Sequence, residues 1–259
     1  MGRILITGAG GQLGLTFQEH IHDFPEVSFD LKTSSELDIA QPVQLADTFR
    51  IGQYDFCINC AAYTNVENAE KHPEEAFAVN AEGVKNLAEI CKEHGTTLIH
   101  ISTDYVFDGE KKSAYSIDDT PNPINEYGKS KLAGEKFIQQ ILPNHYIIRT
   151  SWLYSKKYGH NFYRTILRKA LDGEDLYVTD AQEGCPTNTE RLAMFIMKEI
   201  VLGNKPFGLY HFTDGEPMTW YDFAQKILDE NGLKHKVKLV LDANYRTFAK
   251  RPKNSVLAE

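Results

Sequence analysis

Along the chain, short apolar runs alternate with longer stretches in which apolar residues recur every third or fourth position. The runs Arg3 to Thr7, Val27 to Phe29, Phe56 to Asn59, Thr97 to Ser102 and Tyr146 to Thr150 read as strands. Helical spacing covers Leu13 to His22, Pro42 to Phe49, Glu74 to His94 and Tyr127 to Ile141. This βαβ alternation predicts an α/β fold with a doubly wound parallel sheet covered by helices on both faces, and ligands at the carboxyl ends of its strands.

After Thr150 the rhythm changes. A helix from Asn161 to Leu171, a short strand Leu176 to Thr179, a helix Thr189 to Leu202, a strand near Leu209 to Phe212 and a helix Thr219 to Asn231 are expected. No Pro-, Gly- or Ser-rich linker and no internal repeat divides the two halves. Residues 1–150 are therefore expected to form a nucleotide-binding domain. Residues 151–259 would form a smaller α/β substrate lobe packed on it, with some exchange of chain between the two and a cleft for substrate.

Composition narrows the partners. The 259 residues are 42% hydrophobic and 25% charged, ordinary for a globular protein. Lys+Arg 28 against Asp+Glu 36 gives a net charge of −8 without a block of basic residues, which argues against nucleic acid and anionic membrane as partners. No apolar stretch approaches the roughly 18 residues needed to span a bilayer, and the first residues lead directly into a core strand. A cytoplasmic location is expected. Cys57 and Cys60 lack a second pair at zinc-ligand spacing, while Cys91 and Cys185 are isolated, so all four read as small core residues. The nine histidines include no i, i+4 pair beside a glutamate, and no metal site is expected.

Two motifs carry chemistry. Gly8-Ala9-Gly10-Gly11-Gln12-Leu13-Gly14 sits between the first strand and the first helix, the context of a dinucleotide fingerprint, here with glycines at 8, 11 and 14. Gly8 would make the tight turn, Gly11 would let the backbone approach a pyrophosphate and Gly14 would let the helix pack on the strand; helix N–H groups and the helix dipole would hold the phosphates. The second motif is Tyr127-Gly128-Lys129-Ser130-Lys131. Residues four apart share a helix face, so Tyr127 and Lys131 would present a phenol and an ammonium to one point, and the cation would lower the phenol pKa into a useful range. The hydroxyl of Thr103 or Ser102, from a strand end, could hold a substrate carbonyl against the phenol.

The chain is similar to the extended short-chain dehydrogenase/reductases of Rossmann type, and within them most resembles the dTDP-4-dehydrorhamnose reductase family. The resemblance runs from end to end. It rests on the glycine loop, Leu37-Asp38-Ile39, Asn59-Cys60-Ala61-Ala62-Tyr63-Thr64, Asn80-Ala81-Glu82-Gly83, Ser102-Thr103-Asp104-Tyr105-Val106-Phe107 and Tyr127 to Glu135. Arg149-Thr150-Ser151-Trp152-Leu153-Tyr154 and Ala249-Lys250-Arg251-Pro252 complete it. The Ser-Thr-Asp-Tyr-Val-Phe and Arg-Thr-Ser-Trp-Leu-Tyr runs are far more specific than the glycine loop, which the whole superfamily shares.

The resemblance implies reduction by NADPH or NADH of the 4-keto group of dTDP-4-dehydro-L-rhamnose, giving dTDP-L-rhamnose for cell-surface polysaccharide, in a monomer or homodimer. It implies Tyr127 as proton donor, Lys131 as the partner that lowers its pKa and binds the nicotinamide ribose, and Thr103 as the group that positions the carbonyl. Asp104 and Trp152 map to sugar-contacting positions. Cofactor contacts transfer to Gly8, Gly11, Gln12 and Leu13 at the phosphates, Asp30 at the end of the second strand with Lys32 beside it, Asp38 and Ile39 near the adenine, and Ala62, Tyr63 and Thr64 beside the nicotinamide. Asn80 is expected either to brace the sheet or to join a proton relay.

The sequence departs from the family in two places. It ends soon after Arg251-Pro252, earlier than the family usually does, which suggests a less closed substrate lobe, and Cys185 stands where Ser or Thr is common. Three other functions share these features: a different nucleotide-sugar 4-ketoreductase or epimerase; a non-catalytic NADP-binding regulatory subunit such as the one that binds methionine adenosyltransferase; and a nucleotide-binding redox sensor. The intact Thr103, Tyr127 and Lys131 favour an enzyme.

Overall fold

The computed structural model describes residues 2–258. Its centre is a six-stranded, all-parallel sheet. The strands are β1 (Gly2–Thr7), β2 (Val27–Lys32), β3 (Phe56–Asn59), β4 (Thr97–Thr103), β5 (His145–Thr150) and, from the second half of the chain, Gly208–His211. In space they run Gly208–His211, β5, β4, β3, β1, β2. The order reverses between β1 and β3, so the loops that follow these two strands open a crevice at the carboxyl edge.

The strand interiors explain the continuous apolar runs. In β1, Leu5 faces one core with Cys57, Leu98 and Ile147 from the neighbouring strands, while Ile4 and Ile6 face another with Ile58, Ile99 and Ile148. Both faces are buried, so alternation between apolar and polar positions disappears. The helices α2 (Pro42–Gly52), α5 (Val84–His94) and α6 (Glu126–Ile141) cover the Leu5 face through residues such as Phe49, Leu87 and Ile138. The other face is covered by α1 (Gln12–His20) and α8 (Thr189–Phe195), through Leu13, Phe17, Leu192 and Ala193.

The second half of the chain is thus shared between two cores. Besides supplying α8 and a sheet strand, it builds a separate cluster from α7 (Phe162–Leu171), α9 (Trp220–Glu230) and the strand Leu176–Val178, around Ile166, Leu176, Phe223 and Ile227. Leu176–Val178 pairs in parallel with Leu239–Leu241. The C-terminal segment tucks in, Tyr115 N–H donating to Val256 O (2.8 Å) and Ala258 N–H to Tyr115 O (2.7 Å), with Val256 and Leu257 buried.

Several expected boundaries shift for local reasons. β2 continues three residues past Phe29 because β1 offers it partners as far as Thr7. The helix expected over Glu74 to His94 is instead α4 (Pro73–Phe77), a wide π turn over Ala78–Gly83, and α5. A short helix, α3 (Val66–Lys71), was not expected; its start is capped by Asn65, which accepts from Asn68 N–H (3.0 Å). The Thr189 to Leu202 helix likewise widens into a π turn over Ile196–Val201. No helix among the described residues is long and apolar enough to cross a membrane.

Candidate active site

The crevice holds two adjoining cavities. One, of about 390 Å³, lies over the glycine turn and is lined by Gly8, Gly11, Thr33, Asp38, Ala62 and Tyr63, among others. The other, of about 570 Å³, runs from Gln12 and Leu13 past Thr103, Tyr127 and Lys131 to Trp152. Gly11, Cys60, Ala61 and Ala62 border both.

The glycine loop is built as its spacing suggests. Gly8 has φ +67°, and a Cβ there would lie 2.5 Å from Ala61 N; at Gly14 a Cβ would lie 2.5 Å from Ala9 Cα, so a side chain at either would push the turn or helix away. Gly11 caps α1 with no side-chain hydrogen bond, which leaves the first N–H groups of the helix for a ligand. The Gln12 side chain is committed elsewhere, donating to Leu153 O (3.0 Å) and accepting from Asn161 Nδ2 (3.0 Å), and so ties the loop to the second half of the chain.

Ala62, Tyr63 and Thr64 follow β3. Their loop is held by Asn80, whose Oδ1 accepts from Tyr63 N–H (2.9 Å) and whose Nδ2 donates to Tyr63 O (3.0 Å) and Ser130 Oγ (3.0 Å). These bonds, made from the π turn, brace the loop. Ile39 borders the smaller cavity but is 2% exposed and packed in the core. Asp38 accepts from Ala40 N–H (2.9 Å), which fixes the bend before α2.

Asp30 and Lys32 sit differently from the expectation. β2 runs on to Lys32, so Asp30 lies two residues before the strand's end, paired with Leu5, and neither residue is among those bordering the two cavities. The Asp30 carboxylate accepts from the Tyr54 hydroxyl and pairs with Lys32 Nζ at 3.2 Å. The two side chains do point to one side, as residues two apart on a strand must.

Thr103, Tyr127 and Lys131 are brought together on the larger cavity. Thr103 ends β4. Its hydroxyl donates to Asp104 Oδ1 (3.0 Å) and accepts from Tyr105 N–H (3.1 Å). Ser102, the other hydroxyl considered, is turned away to donate to Glu135, which with Arg149 forms an ion pair at 2.7 Å whose side chains are 1% and 3% exposed. Asp104 is buried, and burial raises its carboxyl to about 6 even though Ser255, Ser151 and Thr103 hydroxyls donate to it.

The electrostatics of the pair correct one expectation. Lys131 does not pull the Tyr127 phenol down. Burial pushes the phenol well above its ordinary value, the hydrogen bond with Thr103 offsets part of this, and Asp104 adds to the rise. Lys131, 2% exposed, instead donates to Ile101 O (2.7 Å) and meets His100 Nε2 at 3.3 Å. Burial lowers its ammonium to about 8, against the opposing pull of Glu135.

Trp152 follows β5 with φ +47°, a left-handed backbone that few bulky residues adopt. Its indole stacks on Trp220, ring centroids 3.5 Å apart and planes within 5°, and both border the larger cavity. Cys57, Cys91 and Cys185 are buried, while Cys60 is half-buried, packed against the core on one side and bordering both cavities on the other; all four are free thiols.

Sequence reasoning missed Trp220, His160 and Arg251 as cavity residues. Arg251 was within a quoted motif, but its position depends on the C-terminal segment folding back. Its Nη2 donates to Glu67 (2.8 Å) and its Nη1 to the Tyr105 hydroxyl (3.3 Å), while its buried Nε has no partner among the described residues. His160, Trp220 and Arg251 also border a further cavity of about 560 Å³, walled by Phe162, Ile166, Tyr177 and Val178.

The family model described as the RmlD substrate binding domain matches residues 2–259. The dTDP-4-dehydrorhamnose reductase of Aggregatibacter actinomycetemcomitans is 40% identical over 99% of this chain and 90% of its own length, and that of Escherichia coli K12 is 39% identical over 98% and 88%. The crystal structure of dTDP-4-dehydrorhamnose reductase from Bacillus anthracis in complex with NADP superposes with a TM-score of 0.94 at 36% identity, covering 99% of this chain and 90% of that one. With the whole chain matched in sequence and in fold, the protein belongs to the RmlD substrate-binding family, which includes the dTDP-4-dehydrorhamnose reductases.

Proposed function

We propose that the protein is an NAD(P)H-dependent dTDP-4-dehydrorhamnose reductase, converting the 4-keto group of dTDP-4-dehydro-L-rhamnose to the alcohol of dTDP-L-rhamnose. The observation that carries this reading is the position of Thr103, Tyr127 and Lys131 where the crevice over the glycine turn meets the cavity walled by Trp152.

The residues present fit a dinucleotide. The uncapped N-terminus of α1 and the open turn at Gly11 would hold the pyrophosphate, Asp38 and Ile39 would border the adenosine end, and Ala62 to Thr64 the nicotinamide half. When bound, the nicotinamide supplies a hydride. Thr103 would hold the substrate carbonyl by turning its hydroxyl hydrogen from Asp104 to the carbonyl oxygen, and the Tyr127 hydroxyl would pass its proton to that oxygen as negative charge develops there. Burial keeps the phenol in its protonated form, as a donor must be. Lys131, one helical turn on, would bind the ribose and recharge the phenol.

On the substrate side, Trp152 and Asp104 would contact the sugar. Arg251, with an unpartnered Nε at the junction of the two substrate-side cavities, would face the diphosphate, and the apolar cavity beyond it would take the nucleoside. Residues 151–259 would then serve as a substrate lobe that also shares the main sheet.

Incubating the protein with NADPH and dTDP-4-dehydro-L-rhamnose tests the reading. Stoichiometric cofactor oxidation with formation of dTDP-L-rhamnose is expected. Sugar conversion without net cofactor oxidation would indicate an epimerase, and cofactor binding without turnover a regulatory subunit.

A further inference from the structure

Behind the Tyr127–Lys131 pair lies a chain of buried polar groups whose protons can be placed one by one. The Ala61 backbone N–H, which can only donate, meets one atom of the Asn59 amide at 3.1 Å, so that atom is the oxygen; it also accepts from the Thr7 hydroxyl (2.7 Å). The Asn59 nitrogen therefore faces His100 Nδ1, at 3.0 Å, and Nδ1 must accept. A neutral imidazole that accepts at Nδ1 carries its proton on Nε2. His100 is 0% exposed and Asn59 1%, and burial holds the ring neutral, its pKa well below the ordinary histidine value. The Nε2–H thus points at Lys131 Nζ, 3.3 Å away.

An ammonium has no lone pair to accept that N–H; a neutral amine has one, and keeps a hydrogen for Ile101 O. We infer that His100 is a positioning residue for the lysine: its tautomer, locked by Ala61 through Asn59, favours the neutral amine of Lys131 over the ammonium, so that cofactor binding takes up a proton. The second half of the inference rests on the reductase reading, since it needs a ribose hydroxyl to accept from the ammonium. The proton balance is simple: one solvent proton joins Nζ as the ribose arrives. The other groups around Nζ do not reverse this. On its own helix, Tyr127 lies one turn before and is neutral, while the pull of Glu135, one turn after, is shared with Arg149 from β5 and only partly opposes burial. Asn80 and Ser130 from the neighbouring π turn and α6 are uncharged, and Asp104 faces Thr103 and Ser151.

Calorimetric titration of the protein with NADPH near pH 8, where Lys131 is poised by burial, tests this when repeated in buffers of different ionisation enthalpy. The wild-type heat should vary with buffer and report uptake of roughly half a proton near pH 8 and more above it, with Kd weakening by up to about tenfold per pH unit above that point. His100→Phe keeps a ring in the space but removes the N–H that the neutral amine accepts, and its proton uptake at the same pH should fall below that of the wild type. Nitrogen NMR of labelled histidine in the cofactor-free wild type, which needs no variant, should show His100 neutral with the proton on Nε2. An Nδ1–H or imidazolium form, or NADPH binding without proton uptake, would overturn the inference alone. Absence of saturable NADPH binding would overturn the reductase reading and the uptake built on it.

Discussion

Removing the Tyr127 hydroxyl isolates the proton donor from the shape of the site. Tyr127→Phe should lower kcat by about 10²- to 10⁴-fold, the usual cost of a lost general acid, and leave NADPH affinity within about threefold of wild type. Steady-state kinetics with a separate binding titration checks this, and a kcat close to wild type would remove Tyr127 from the chemistry. Although neither Asp30 nor Lys32 borders the two cavities, cofactor choice is expected to depend on them. An aspartate near the adenosine ribose ordinarily repels a 2′-phosphate, yet this one already accepts from Tyr54 and pairs with Lys32, so its charge is largely offset. Use of both cofactors with a modest NADPH preference is expected, and Lys32→Ala should lower kcat/KM for NADPH selectively, by several-fold. Equal loss for both cofactors would show that Lys32 does not read the phosphate. The Tyr127 and Lys131 spacing made these residues visible in the sequence, because four residues on a helix is a geometric statement. Their electrostatics were not visible, since both groups respond to burial and the phenol also to Thr103 and Asp104, which only the fold brings near.

At the level of elements, strand positions and helix identities followed from periodicity, while the breaks within helices did not. The residues 74–94 have unbroken helical spacing, but tertiary demand wins at Asn80, which must reach the Tyr63 backbone and does so by widening one turn. That widened turn lies tight against α6. A Cβ at Gly134 would fall 2.2 Å from Asn80 O, so the glycine is what lets the helix carrying Tyr127 and Lys131 approach the turn that braces the nicotinamide loop. Gly134→Ala, although it raises helix propensity, should therefore destabilise the protein by about 1–3 kcal/mol, the usual cost of overpacking a close contact. It should also raise KM for the cofactor. Thermal denaturation and kinetics together test this; a stabilised variant with unchanged KM would mean that α6 moves aside at no cost. α3 escaped the sequence reading because six residues are too few to show a period.

For the molecule as a whole, the parallel sheet was legible because both of its faces are buried and each strand reads as an apolar block. The way the second half returns to that sheet was harder to read: Gly208–His211 pairs with β5 far along the chain, and nothing local in its sequence announces its neighbour. The same long-range folding brings Trp152, at the end of β5, against Trp220, at the start of α9. These are the only two tryptophans in the chain, and they lie stacked in the wall of one cavity. All of the protein's indole emission therefore originates at a single place. Two parallel rings at 3.5 Å are close enough to couple electronically, so the near-ultraviolet circular dichroism should carry a paired band that Trp152→Phe abolishes. Binding of a dTDP-sugar should change the emission of the wild type, whereas denaturant should shift it only when the substrate lobe opens. The molecule thus carries an intrinsic optical gauge of its substrate cavity, through which occupancy and local opening can be followed without attaching a dye.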